Sequence, residues 1–235
     1  MNLLYRGKTK DVYEDGPNTV KMLFTDRVTQ NLQGEIDPGG NAVADVQLPG
    51  NGLACLRMTS TIFQELKTRG INVHMDCFDL NEVSMIARKA ALFKPGLEWV
   101  ARWVGTGSFI RRYGCVPGLK DGMRFAEPVF EITLKDDAGQ DPLIVPSAII
   151  AVGIMGKSDM DALLAANENA MGMIREMFES RGLDLWDIKI EWGKDAETGK
   201  IMLIDEVSPG CCRAFDKKTG ERVTGMKLAD YFKAV

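Results

Sequence analysis

Trp186-Asp-Ile-Lys-Ile-Glu-Trp192 alternates apolar and charged residues without a break. Successive side chains of a strand point to opposite faces. Trp186, Ile188, Ile190 and Trp192 are therefore predicted to line a core, with Asp187, Lys189 and Glu191 on the other face. Residues 194–200 read as a connection and Ile201 to Glu206 as a return strand. Antiparallel pairing across it brings Asp205 or Glu206 toward Glu191. Two carboxylates with a lysine between them suit a hard cation such as Mg²⁺ and a transferring phosphoryl group. A solvated strand face carries the same alternation, so the pattern alone leaves both meanings open.

Upstream of this hairpin the spacing predicts a long helix over 159–181. Met160, Leu163, Leu164, Met171, Ile174, Met177 and Phe178 form one apolar stripe, Ser158 can cap its start, and Gly182 fits the position just past its end. A second helix is predicted over 54–69, stopped by Gly70. The chain opens on short strands, Leu3 to Tyr5, one starting at Val12-Tyr13, and Val20 to Phe24, with Asp15-Gly16-Pro17-Asn18 as a turn. Residues 31–52, rich in glycine, proline and asparagine, read as a long loop. Strands fit Val83 to Arg88 and Leu97 to Val104, then a glycine turn and a short helix from Phe109 to Tyr113. A last helix fits Lys227 to Lys233. Strands and helices do not alternate strictly, which favours an α+β fold over a parallel doubly wound sheet.

The net charge is −4, so a basic footprint for nucleic acid is not expected. No apolar run reaches the roughly 20 residues that span a bilayer, and a cytoplasmic location is expected. Five cysteines without a C-x-x-C pair, and one histidine, argue against a disulfide framework or a structural zinc site. His74 reads as a strand-edge residue without a catalytic part, and adjacent Cys211-Cys212 as loop packing.

Three further stretches concentrate cations. In Arg6-Gly-Lys-Thr-Lys10 the glycine permits a tight turn and Lys8 and Lys10 can reach phosphate oxygens, although the upstream glycine of a Walker A loop is missing. Arg102, Gly107-Ser108 and Arg111-Arg112 combine guanidinium groups, a hydroxyl and a helix start, which suits a phosphate monoester. Arg213 follows the Ser208-Pro-Gly-Cys-Cys212 loop as a further candidate.

These fragments occur in an order that resembles the SAICAR synthetase (phosphoribosylaminoimidazole-succinocarboxamide synthase) family. The resemblance is carried by Leu4 to Tyr13, by Glu98-Trp-Val-Ala-Arg102 with Gly107-Ser108, by Leu134 to Ile144, by Asp187-Ile-Lys-Ile-Glu-Trp-Gly193 and by Asp205-Glu-Val-Ser-Pro with Arg213-Ala-Phe-Asp216. It implies a two-lobed α+β fold with an ATP cleft between an antiparallel-sheet lobe, residues 1–90, and a larger lobe for substrate and metal, residues 91–235. It implies ATP and Mg²⁺ as cofactors, and carboxyaminoimidazole ribotide and L-aspartate as partners, joined through an acyl phosphate. By matching positions, Lys8 and Lys10 contact ATP phosphates, Glu191 and Asp205 hold the metal, Lys189 faces the transferred phosphoryl, and Arg102, Ser108 and Arg213 grip the ribose phosphate. Lys189 and Lys10 are thereby the catalytic candidates. The adenine pocket falls near the strand 83–90, and Arg88 and Lys89 are further ATP-binding candidates. A homodimer is compatible with the resemblance.

Departures from the family pattern collect in the acceptor loops. Thr29-Gln-Asn-Leu-Gln-Gly34 stands for T-A-F-N-G, Pro49-Gly-Asn-Gly52 lacks a lysine, Gln140 precedes Asp141-Pro142, and Ser208-Pro-Gly210 lacks the usual aspartate. Two alternatives stay open at this point: a related ATP-dependent ligase with another amine or carboxylate, and a nucleotide sensor without turnover.

Overall fold

The computed structural model describes residues 1–30, 34, 36, 40 and 42–233. Strands β1 (Leu3–Arg6), β2 (Lys10–Glu14) and β3 (Thr19–Phe24) form the antiparallel meander expected from the opening residues. β4 (Arg27–Gln30) pairs with β5 (Ala42–Gln47) in a separate ribbon. The expected loop over 31–52 is therefore shorter. The β-branched Val43 and Val46 of Ala42–Gln47 favour a strand, α1 already begins at Asn51, and residues 31–33, 35, 37–39 and 41 lie outside the described residues.

Helix α1 (Asn51–Thr68) starts where Asp26 accepts from the Gly50 and Gly52 N–H groups, at 3.2 and 2.9 Å. Those groups would otherwise be orphan donors at the helix start. β6 (Met75–Asp79) and β7 (Ser84–Arg88) complete a five-stranded sheet in the order β1-β2-β3-β7-β6.

The second half builds a seven-stranded sheet. Its strands are β8 (Ala90–Leu92), β9 (Leu97–Gly105), β10 (Met123–Leu134), β11 (Leu183–Asp195), β12 (Ile201–Ile204), β13 (Cys212–Asp216) and β14 (Arg222–Val223). The main order is β10-β9-β11-β13-β14, with β8 and β12 also pairing with β11. Helices α2 (Ser108–Tyr113), α3 (Pro146–Ala151), α4 (Lys157–Ser180) and α5 (Gly225–Asp230) surround it. The ladders in both sheets are antiparallel, as an α+β fold requires. No helix among the described residues is long and apolar enough to cross a membrane.

Helix α4 carries the predicted stripe into the core, except that Leu164 is exposed. It begins two residues before 159. Gly156 precedes it without a side-chain cap, so Ser158 sits inside the first turn instead of capping it. Asn167 accepts from the Trp192 indole N–H at 3.0 Å, which fixes α4 against β11. One apolar cluster runs from Met22 and Phe24 through Leu56, Phe63 and Leu66 of α1 to Ile174, Ile190 and Trp192.

Trp186 is not part of that core. The register between β11 and β13 shifts between Leu185 and Asp187, so Leu185, not Trp186, joins Ile188 and Ile190 in the interior. Trp186 stacks on Phe215 with ring centroids 3.8 Å apart and donates to Asp184 at 2.9 Å. A β-bulge places one extra residue on its strand and flips the side chains on one side of it. Strict alternation cannot anticipate that.

Candidate active site

Strand β11 lies between β9 and β12 at its Glu191 end, and its register pairs Glu191 with Glu98 on one side and Ile204 on the other. The residue after Ile204 is Asp205, so the predicted approach of the two carboxylates follows from strand pairing. Asp205 has φ +65°, in the left-handed region.

Three lysines from three segments surround these acids. Lys189 on β11 reaches Glu98 at 2.9 Å and Glu191 at 3.2 Å. Lys135, just past β10, donates to both Glu191 oxygens at 2.8 and 3.0 Å. Lys10, at the start of β2, lies 3.1 Å from Asp205 and 2.5 Å from Glu206. Thr9 also donates to Glu206, at 3.0 Å. Lys8 stands apart at the surface and pairs with Asp137 at 2.7 Å.

Burial alone would raise the Asp205 carboxyl, but the Lys10, Lys135 and Lys189 ammonium groups outweigh burial and hold it well below the usual carboxylate range. Burial likewise opposes the charge on Lys10, and Asp205 and Glu206 reverse that and keep it protonated. Lys189 is raised in the same way, with Glu191 and Glu98 outweighing its burial. The site therefore holds an ionised Asp205 beside protonated Lys10 and Lys189, with Lys10 and Glu206 buried and Asp205, Lys135 and Lys189 partly open to solvent.

Among the described residues no group of three His, Cys, Asp or Glu side chains is arranged to hold a metal by itself. Glu191 and Asp205 nevertheless fit a Mg²⁺ that completes its coordination with water and nucleotide phosphates, since that ion is commonly held by one or two carboxylates. A buried Glu206 Oε2 atom without a hydrogen-bond partner adds unused acceptor capacity at the same spot.

The other end of the same β11 face is cationic. Asp187 accepts from Arg102 at 2.8 Å and from Arg213 at 2.6 Å through one oxygen, and from the Arg213 backbone N–H at 3.1 Å through the other. Arg102 further donates to Glu131 at 2.6 Å and to Ser108 Oγ at 2.8 Å. Arg112 reaches the same Glu131 oxygen at 2.8 Å. Arg102, Ser108 and Arg213 are thus brought together as expected, over a base of two buried acids that keep the guanidinium groups oriented.

Arg88 and Lys89 are engaged elsewhere. Arg88 pairs with Asp195 and donates to Asn72 Oδ1 and the Val73 carbonyl, both at 2.7 Å. Lys89 donates to the Gly16 and Pro17 carbonyls at 2.8 and 2.7 Å. Both side chains brace the sheets and their turn.

His74 stands at a strand edge as expected, directly before the outer strand β6, but it is buried, and its Nε2 lies 3.1 Å from the Asp205 carbonyl oxygen. Burial lowers its pKa to about 4, so the ring is neutral at neutral pH. Burial, followed by the Glu206 charge, pushes the Cys211 thiol up to about 11, and burial also raises Cys212 well above the usual value. Neither is a nucleophile at neutral pH.

Glu98, Glu131 and Lys135 complete the site beyond the residues singled out from sequence, and Glu206, offered there with Asp205, joins it on Lys10. Glu98 and Lys135 stand within the family-like fragments already quoted. Glu131 could have been found from Phe130-Glu-Ile-Thr-Leu134, where a charge alternates with apolar residues; it pairs with Val100 and so lies diagonal to Arg102 on the neighbouring strand.

The family model for SAICAR synthetase matches residues 3–231. The chain belongs to the SAICAR synthetase family. It is 38% identical over 230 residues to the phosphoribosylaminoimidazole-succinocarboxamide synthase of Clostridium tetani, covering 97% of each chain. The crystal structure of the Ehrlichia chaffeensis synthase has the same fold, with a TM-score of 0.82 at 24% identity over 95% of this chain and 89% of that one. A SAICAR synthetase solved in complex with ADP superposes with a TM-score of 0.80 at 26% identity, covering 94% of this chain and 87% of its own. The SAICAR synthetase fold, mixed α+β with antiparallel sheets, is thus the fold of this chain.

Proposed function

We propose that the chain is an ATP-dependent carboxylate–amine ligase of purine biosynthesis, which joins L-aspartate to the carboxylate of phosphoribosyl-carboxyaminoimidazole. The observation that carries this reading is one strand face, β11, with an acid–lysine cluster at one end and an arginine–serine pocket at the other. That arrangement suits a substrate with a phosphate at one end and a carboxylate to be phosphorylated at the other.

The chemistry is an activation followed by a substitution. A substrate carboxylate oxygen attacks the γ-phosphorus of ATP, and the bond to ADP breaks. The amine of aspartate then attacks the acyl carbon, loses a proton, and phosphate leaves. A carboxylate is a poor acyl donor and its acyl phosphate a good one, so the protein has mainly to position and neutralise.

In this reading Lys8 and Lys10 contact ATP phosphates, Lys189 faces the transferred phosphoryl, and Arg102, Ser108 and Arg213 bind the ribose phosphate. Mg²⁺ held by Glu191 and Asp205 would neutralise phosphate charge and orient the transferring group. Lys10, Lys135 and Lys189 now neutralise the acids. With nucleotide bound, each can turn to a phosphate while the acids turn to the cation, so no charge is left buried alone. Residues 1–90 act as the nucleotide lobe and 91–235 as the substrate and metal lobe. The reaction belongs in the cytoplasm, and every group named comes from one chain, whether or not it dimerises.

A second reading, a different acceptor amine, is favoured by Gly210, where the family-like Ser-Pro segment lacks its carboxylate. The test for both is a coupled ADP-release assay. Release that requires both the carboxyaminoimidazole ribotide and L-aspartate supports the first reading. Release that requires the ribotide and another amine supports the second, and release indifferent to the ribotide and to every amine overturns both.

A further inference from the structure

His74 is the only histidine of the chain, and the chemistry above does not use it. It sits in a segment that runs along the free edge of β12. The Leu203 N–H donates to the Asn72 carbonyl at 2.8 Å, and the His74 N–H to the Leu203 carbonyl at 2.9 Å. This seam ties the strand leading to Asp205 to the entry of β6. The imidazole extends the seam by one residue, through Nε2 and the Asp205 carbonyl at 3.1 Å. A carbonyl can only accept, so Nε2 carries the proton and donates. The ring is 4% exposed and meets Phe63 edge-on at 5.7 Å, which leaves it little freedom to turn away.

The carbonyl it holds belongs to a strained residue. Asp205 has φ +65°, a conformation that non-glycine residues keep only when their surroundings enforce it. The conformation has a visible effect. In an extended strand, successive side chains point to opposite faces. Here consecutive Asp205 and Glu206 both turn to the same Lys10 ammonium, at 3.1 and 2.5 Å. Without the left-handed turn, one of the two acids would leave the cluster.

We infer that His74 is a positioning residue, whose Nε2–H bond to the Asp205 carbonyl holds the left-handed turn that aims the Asp205 carboxylate at the metal. This rests on the reading of Asp205 as a metal ligand. The role needs a buried donor at the reach of Nε2. A glutamine amide can supply one, whereas the shorter asparagine and the apolar leucine cannot.

The experiment titrates Mn²⁺ into the full-length protein with ADP present and follows free Mn²⁺ by electron paramagnetic resonance. It compares the parent with His74→Gln, His74→Asn, His74→Leu and Asp205→Asn. Ribotide KM is measured in parallel. His74→Asn and His74→Leu are expected to weaken Mn²⁺ binding about tenfold, in line with groups that orient metal ligands, and to leave ribotide KM within about twofold. His74→Gln is expected to recover Mn²⁺ affinity to within about threefold. If His74→Leu does not fold, the Gln and Asn pair decides. Equal Mn²⁺ affinity in His74→Asn and the parent overturns the inference while the metal reading stands, provided Asp205→Asn binds weakly. A rise in ribotide KM as large as the loss in Mn²⁺ affinity also overturns it, because that is a general structural defect. Unchanged Mn²⁺ affinity in Asp205→Asn overturns the metal reading and the inference with it.

Discussion

The guanidinium of Arg213 lies directly against Gly107, where a Cβ would meet its Nη2 atom at 2.8 Å. Gly107 also has φ +55°, so an alanine there is disfavoured by backbone conformation and by contact. Gly107→Ala is expected to displace Arg213 from the pocket beside Ser108. The strain should lower stability by about 1–3 kcal/mol, read by denaturant unfolding. Ribotide KM should rise while ATP KM stays near the parent value. An unchanged ribotide KM would remove Arg213 from the phosphate pocket.

Glu191 and Asp205 are expected to be the metal-binding acids. Glu191→Gln and Asp205→Asn should each lower Mg²⁺-dependent turnover at least about tenfold, as even changes behind a metal ligand cost about 10–100-fold. The measurement is ADP release over a Mg²⁺ series. Wild-type activity in both variants would refute the assignment.

Glu131 neutralises Arg102 and Arg112 at once from a position 6% exposed. Glu131→Gln leaves two guanidinium groups facing a neutral amide. Removing one partner of a buried ion pair costs about 3–5 kcal/mol, and a loss of that size is expected in urea unfolding. Replacing Glu131 and Arg112 together, by Gln and Met, should recover part of it, because one unpaired charge is removed. A double variant no more stable than Glu131→Gln would show that the two do not act as a pair.

Asp195 should set part of the acid stability. Burial would raise its carboxyl, but the Thr198 and Glu197 N–H groups and Arg88 hold it below the usual value. A depressed folded-state pKa contributes stability that is fully present above the unfolded value, roughly 3.9. That contribution disappears as pH falls through the lower folded value. Asp195→Asn should therefore lower stability at pH 7 and flatten the loss below about pH 4. Thermal unfolding from pH 7 down to about pH 2 tests the sign, and an acid limb as steep as the parent's would contradict it.

The acid–lysine part of the site was legible in the sequence because strand alternation puts Lys189 and Glu191 on one face and pairing brings Asp205 beside them. Alternation misplaced Trp186, since a bulge between Leu185 and Asp187 leaves no mark in the residue pattern. It also could not see that Arg88 and Lys89 fold back to brace the sheets, because their partners come from distant segments.

The sequence by itself determined the α+β class, the strand that carries the site and the family to which it belongs, since these depend on local period and on the order of motifs. Only the tertiary structure decided which charges meet. Lys10 joins Asp205 and Glu206 from nearly 200 residues away, and His74 reaches the Asp205 carbonyl. The physical reason is that an ion pair or a buried hydrogen bond depends on separation in space and on shielding from water. The packing of the two sheets sets both, and no property of the local sequence does.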